Sequence, residues 1–370
     1  MSDVLRGAER IVVKIGSSLL VDADGEFRSR WLDGFAHDVR ALKAEGREVM
    51  IVSSGAVALG RAVLDLPPGN LRLEEKQAAA AAGQIALAHA YKQALAAVDI
   101  ACAQVLLTLG DTEDRRRYLN ARATVDTLLK LSAVPVVNEN DTVATTEIRF
   151  GDNDRLSARV AVMAGADLLL LLSDVDGLYT RDPRLHADAA HLDEVPELTA
   201  EISAMAGGQG SAVGTGGMVS KLDAARLATR AGCAVVIADG RAERPLQRLS
   251  DGAKRTRFRA RTSPRTAKKE WIAASIGPMG VLAVDDGAVK ALRAGRSLLP
   301  AGVRSVEGQF ARGDAVLVRD GQGRTVAKGL SAYDADDARC IAGRKSEETE
   351  AILGFRGRDE IIHRDHLVLL

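Results

Sequence analysis

Cysteine is scarce in this chain: three in 370 residues, at positions 102, 233 and 340. Their wide spacing and odd number offer neither a disulfide framework nor a cysteine-built metal site. A reducing, cytoplasmic setting is expected. Aromatic residues make up only 3% of the chain, so the core has to be aliphatic. Net charge is zero, with 50 basic and 50 acidic residues. Nothing global therefore points to nucleic acid or an anionic membrane as the main partner. The most apolar run, residues 168–172, is far too short to span a bilayer. Residues 1–16 pass directly into a strand pattern without a signal-peptide core, so no membrane association is expected. The six histidines are scattered, and no Ser-His-Asp arrangement is apparent.

What is present is a repeated alternation of buried strands and helices. Apolar strand patterns occur at residues 10–15, 48–52, 101–107, 133–137, 167–172 and 234–238. Helical patterns lie between them at 31–45, 74–98, 111–130 and 155–165. The alternation predicts an α/β fold, a mostly parallel open sheet with helices on both faces. The alanine-rich pattern at 74–98 reads as a packing helix or an oligomer contact. Arginine recurs at 255, 257, 259 and 261, one face of a strand. That stripe fits either a polyanion contact or a solvated edge strand protected by charge. From residue 271 onward the pattern changes to short strands with glycine turns, and helices near 285–293 and 346–353. The expected organisation is a first domain over 1–262, a basic linker over 263–279, a small mainly β domain over 280–357 and a tail over 358–370.

In open α/β sheets ligands collect beyond the carboxyl ends of strands, and here those ends carry polar chemistry. Lys14 sits inside the first strand, followed by Gly16-Ser17-Ser18; a lysine there either snorkels outward or serves a ligand. The second strand ends in Ser53-Ser54-Gly55, the fourth in Asn138-Glu139-Asn140-Asp141, the fifth in Ser173-Asp174. Asn153 and Asp154 close a second Asn/Asp cluster, GDND; such clusters also serve as turns.

Residues 206–221, AGGQGSAVGTGGMVSK, hold six glycines and open a helical pattern. Glycine admits a close ligand, and a helix start attracts phosphate. The stretch is not a Walker loop, because Met218, Val219 and Ser220 separate Gly217 from Lys221. Two lysines, two glycine-rich turns and several acidic groups suggest phosphoryl transfer, which relies on positioning and charge neutralisation. A divalent ion, Mg²⁺, would bridge nucleotide phosphates; the sequence assigns no residue to it.

The segments VVKIGSS (12–18), SSGAVALG (53–60), VPVVNENDTV (134–143), FGDNDRLSA (150–158), LLLLSDVDGLYTRDPR (169–184) and GTGGMVSK (214–221) resemble the glutamate 5-kinase family, within the amino-acid kinase superfamily. The LLT…D…R…YLNAR pattern over 106–122 belongs to the same resemblance, and residues 280–356 resemble a PUA domain. The resemblance implies the amino-acid kinase fold and transfer of the ATP γ-phosphoryl group to the side-chain carboxylate of L-glutamate, the first step of proline biosynthesis. It implies catalytic roles for Lys14, Asp154 and Lys221, with Asp154 orienting both lysines. It implies ATP binding by Lys14, Ser173, Asp174, Thr215, Gly216, Gly217, Met218, Val219, Ser220 and Lys221. Ser54, Asp141 and Asn153 would bind glutamate, with Gly55, Asn138 and Asp152 nearby. It also implies feedback inhibition by proline, a downstream glutamyl-phosphate reductase and a homo-oligomer. Sister kinases acting on aspartate, acetylglutamate, carbamate or UMP share the lysine–glycine opening. PUA domains elsewhere contact RNA, which leaves an RNA-binding role open.

Overall fold

The computed structural model describes residues 5, 7–22, 25–67, 69–143, 153–206, 216–274 and 277–370. The chain divides into two compact units, Met1–Pro264 and Arg265–Leu370.

The first unit is built on ten strands: β1 (Arg10–Ile15), β2 (Glu48–Val52), β3 (Cys102–Leu107), β4 (Val134–Glu139), β5 (Leu168–Ser173), β6 (Leu178–Tyr179), β7 (His191–Leu192), β8 (Glu194–Val195), β9 (Ala234–Asp239) and β10 (Arg255–Phe258). Eight form one sheet in the order β3-β4-β2-β1-β5-β9-β10-β8, and β6 pairs with β7 in a separate ribbon. From β3 to β9 every neighbouring pair is parallel, while β10 runs antiparallel to β9. The strand order turns at β1: β2 lies on one side of it and β5 on the other. The crevice beyond the ends of β1 and β5 is thus a topological switch point, where such sheets take their ligands.

Alternation along the strands decides which side chains reach that crevice from which face. Ile11, Val13 and Ile15 enter one apolar layer, together with helix Ser29–Ala44. Val12 enters the opposite layer, with residues of helices Asn153–Ala164 and Gly216–Arg230. Lys14 has the parity of Val12, so it rises on the face covered by those two helices. An aliphatic run that is hydrophobic on both faces is what a sheet covered on both sides requires.

Several expectations change on contact with the structure. The single helix expected over 111–130 is two helices, Leu109–Glu113 and Arg115–Lys130. The Thr108 hydroxyl accepts from the Asp111 amide, and the Asp114 carboxylate accepts from the Arg117 amide at 2.8 Å. Asp114 thereby caps a new helix start and breaks the run. The arginine stripe does not lie on an edge, because β8 pairs outside β10. Its exposed members are matched locally: Arg259 donates to Glu194 at 2.8 Å and Arg261 pairs with Glu197.

The second unit contains helix Pro264–Ala274 at its start, inside the segment expected as a linker. Its five-stranded sheet comprises β11 (Gly280–Val284), β12 (Val303–Gly308), β13 (Ala315–Arg319), β14 (Thr325–Leu330) and β15 (Leu367–Leu369), in the order β12-β11-β13-β14-β15. The segment expected as a tail therefore supplies an edge strand: β15 pairs antiparallel with β14, and Leu367 joins the core. The alternating Leu-Val-Leu was too short to read as a strand without its partner. Helix Asp286–Arg293 lies where expected, capped by Asp285. Helix Ala335–Ile341, capped by Asp334, was not anticipated.

Candidate active site

Four strand ends and two helix starts converge on one cavity of about 470 Å³. Its lining includes Lys14, Gly16 and Ser17 after β1, Ser54 and Gly55 after β2, Asn138 and Asp141 at β4, and Ser173 and Asp174 at β5. Asn153 and Lys221 enter it from helices Asn153–Ala164 and Gly216–Arg230. Gly55, with φ of 105°, takes the left-handed conformation that turns the chain from β2 into helix Ala56–Val63.

At the floor of the cavity two lysines from distant parts of the chain grip one carboxylate. Lys14 Nζ lies 2.7 Å from Asp154 Oδ1, and Lys221 Nζ lies 3.1 Å from Asp154 Oδ2. Asp154 is 2% exposed and each lysine 7%. Ser220 Oγ also donates to Asp154 Oδ2 at 2.9 Å, and Lys221 Nζ donates to the Gly217 carbonyl at 3.3 Å. Burial pushes the Asp154 carboxyl up, but the charges of Lys14 and Lys221 outweigh it and hold the group below the usual carboxylate range. Burial lowers the Lys14 ammonium; Asp154 opposes the shift and Lys221 adds to it. Two lysines thus share one buried carboxylate, with the carboxylate of Asp174 also acting on Lys14. Ammoniums at a cavity wall are groups that an anion can engage with charge-assisted hydrogen bonds.

The neighbouring wall is made of amides, hydroxyls and a carboxyl. Asn153 Nδ2 donates to the Ser53 carbonyl at 3.1 Å and to Ser54 Oγ at 2.8 Å. Among the described residues its buried Oδ1 has no hydrogen-bond partner, and neither has Ser173 Oγ. Unpaired buried acceptors and donors at a cavity wall are groups that a ligand can satisfy. Burial alone pushes the Asp141 carboxyl up to about 6. An incoming cation would reverse that.

The structure thus brings together Lys14, Asp154, Lys221, Ser54, Asp141, Asn153, Ser173 and Asp174. Gly216, Gly217, Met218, Val219 and Ser220 form the first turn of helix Gly216–Arg230. Of these, Met218 packs against the apolar layer and Val219 is 40% exposed. Thr215, the rest of the glycine stretch over 207–214, Gly151 and Asp152 lie outside the described residues. Arg61, also in the lining, escaped the sequence reading; it donates to the Pro67 and Gly69 carbonyls at 2.9 and 2.8 Å. No signal in the sequence sets it apart from other helix-surface arginines. Among the described residues no three His, Cys, Asp or Glu side chains converge as a metal cage, and no helix is long and apolar enough to cross a membrane.

Residues 9–239 match the amino acid kinase family, and residues 280–353 match the PUA domain. The chain belongs to the amino acid kinase family. Among its relatives, glutamate 5-kinase of Rhizobium rhizogenes is 59% identical across 97% of this chain and 92% of its own. Glutamate 5-kinase of Paramagnetospirillum magneticum is 62% identical across 99% of each. Within the amino acid kinase family, the chain is therefore a member of the glutamate 5-kinase group. Carbamate kinase from Giardia lamblia bound to AMP-PNP aligns with a TM-score of 0.50 at 18% identity, over 68% of this chain and 99% of that one, a likeness of fold.

Proposed function

We propose that this chain transfers the γ-phosphoryl group of ATP to the side-chain carboxylate of L-glutamate, giving L-glutamyl 5-phosphate, the first step of proline biosynthesis. The observation that carries the reading is the buried Lys14–Asp154–Lys221 cluster, which sets two lysines at one cavity wall. A carboxylate oxygen of glutamate attacks the γ-phosphorus, the bond to the β,γ-bridging oxygen breaks, and ADP leaves with its electron pair. No general base is needed, because a glutamate carboxylate is already ionised near pH 7. Lys14 and Lys221 stabilise charge on the migrating phosphoryl and the leaving oxygen. Asp154 holds both lysines in place. Ser173, Asp174 and the first turn of helix Gly216–Arg230, with Thr215 before it, hold the nucleotide. Both Asp154 oxygens are committed to lysines, so a Mg²⁺ ion would be held chiefly by the nucleotide phosphates and water, with Asp174 a further carboxylate in the cavity lining; when bound it neutralises phosphate charge. ADP release coupled to a panel of acceptors tests the assignment. L-glutamate should be preferred over aspartate, acetylglutamate, carbamate and UMP, and a preference for any of those would overturn it.

Ser54, Asp141 and Asn153 bind the amino acid in this reading. Replacing Asn153 with alanine removes its bonds to Ser53 and Ser54 and should chiefly weaken glutamate. We expect its KM to rise about 10-fold or more with kcat changed far less. A large fall in kcat with an unchanged KM would reassign Asn153 to the transition state.

Asp141 gives a pH signature. Its carboxyl in the free enzyme titrates at about 6. Only the ionised form pairs with the ammonium of glutamate. Affinity is therefore full above that value and falls as pH drops through it. The logarithm of kcat/KM for glutamate should decline with unit slope on the acid side. In Asp141→Asn that limb should vanish while overall kcat/KM is lower. An identical limb in the variant would assign it to another group.

A further inference from the structure

Helix Leu73–Ala96 reads in the sequence as a packing helix, yet it reaches both strand ends that form the amino-acid wall. Gln84 Oε1 accepts from Asn138 Nδ2 at 2.7 Å. Two turns further on, the Tyr91 hydroxyl meets Ser53 Oγ at 3.0 Å, and the Ser53 carbonyl in turn holds Asn153. Asn138 is 3% exposed and lines the cavity. A side-chain amide can present either a donor or an acceptor to a ligand, depending on which end its neighbour engages. With one Nδ2 hydrogen engaged by Gln84, the carbonyl oxygen Oδ1 remains as an acceptor suited to an ammonium. The backbone that carries Gln84 is held close to the wall. The preceding residue, Gly83, packs so tightly that a Cβ there would fall 1.8 Å from the Ala56 carbonyl oxygen.

We infer that Gln84 is a positioning residue that fixes the hydrogen-bond polarity of Asn138, and through it the selectivity of the pocket for an acceptor carrying an α-ammonium. The inference rests on the reading of this cavity as the glutamate site. Gln84 touches no reacting atom; it acts by holding the Asn138 amide one way round.

Two substitutions of similar length reverse or preserve that polarity. Gln84→Glu keeps an acceptor for Asn138 Nδ2, and Gln84→Lys offers only donors, which turns the amide round. Gln84 is half-buried, so both side chains can be accommodated. Steady-state kinetics on the full chain should show the glutamate KM within about threefold of wild type for Gln84→Glu, and raised about 10-fold or more for Gln84→Lys. The ATP KM should stay put in both. Inhibition by glutarate, which lacks the ammonium, should change by less than about threefold in both. Equal shifts in the two variants, or loss of glutarate in step with glutamate, would overturn the inference. Wild-type turnover of L-glutamate in the same assay separates this failure from failure of the functional reading: if that turnover is absent, the glutamate site itself is wrong.

Discussion

Lys221→Ala should lower kcat for glutamate phosphorylation by about 10²- to 10³-fold, with the glutamate KM changed less than about threefold. The reason is geometric. Lys221 reaches the floor of the cavity from the first turns of helix Gly216–Arg230, and its ammonium shares Asp154 with Lys14. It is already oriented before the reaction, so it loses little by reorganising as charge develops. Its removal also leaves Asp154, among the described residues, with Lys14 and Ser220. One of the two lysines that face a phosphoryl group then disappears. The amino-acid wall, made by Ser54, Asp141 and Asn153, is untouched. A variant whose glutamate KM rises steeply at an intact kcat would mean that Lys221 binds the acceptor instead.

Gly83→Ala should destabilise the chain by about 3 kcal/mol or more, as overpacking against a backbone does. Helices Ala56–Val63 and Leu73–Ala96 touch backbone to backbone. A Cβ on Gly83 would lie 1.8 Å from the Ala56 carbonyl oxygen and 2.4 Å from the Gly60 nitrogen. A Cβ on Gly60 would lie 1.7 Å from the Ala79 carbonyl oxygen. No side chain can rotate aside, so the helices must part. Ala56 follows Gly55 and Ser54 directly, so parting the helices also moves the cavity wall. The glutamate KM should rise along with the loss of stability. Gly110→Ala is the control: its Cβ would meet only Thr108 Oγ1, at 3.6 Å. Urea unfolding compares the two. A Gly83→Ala midpoint as high as that of Gly110→Ala would mean that the two helices are free to separate.

The sequence made some of this legible and hid the rest for physical reasons. The parity of Lys14 within an aliphatic strand, and the polar residues at the ends of β1, β2, β4 and β5, were readable because strand periodicity is local. The role of Asp154 between Lys14 and Lys221 was readable only through the resemblance, since it depends on contacts across 140 and 67 positions. Gly83, Gln84 and Tyr91 stayed hidden inside an alanine-rich pattern, and Gly60 inside the neighbouring helix Ala56–Val63. Nothing in that pattern marks which small residue faces another backbone. The break at Asp114 was within reach, because aspartate is a favoured helix N-cap, but strong helical propensity on either side masked it. The edge strand β15 was not, because three residues have no pattern without a partner.

The central claim is that a glutamate carboxylate oxygen becomes bonded to the γ-phosphorus over the two buried ammoniums. L-glutamate labelled with ¹⁸O in its side-chain carboxylate tests this directly, with ATP, Mg²⁺ and hydroxylamine to trap the acyl phosphate. Hydroxylamine attacks the carbonyl carbon, so the bridging oxygen leaves with phosphorus. Mass spectrometry should find one ¹⁸O in each released phosphate, together with the glutamyl hydroxamate. Unlabelled phosphate formed at the rate of ADP would instead show that water takes the phosphoryl group, and would contradict the account.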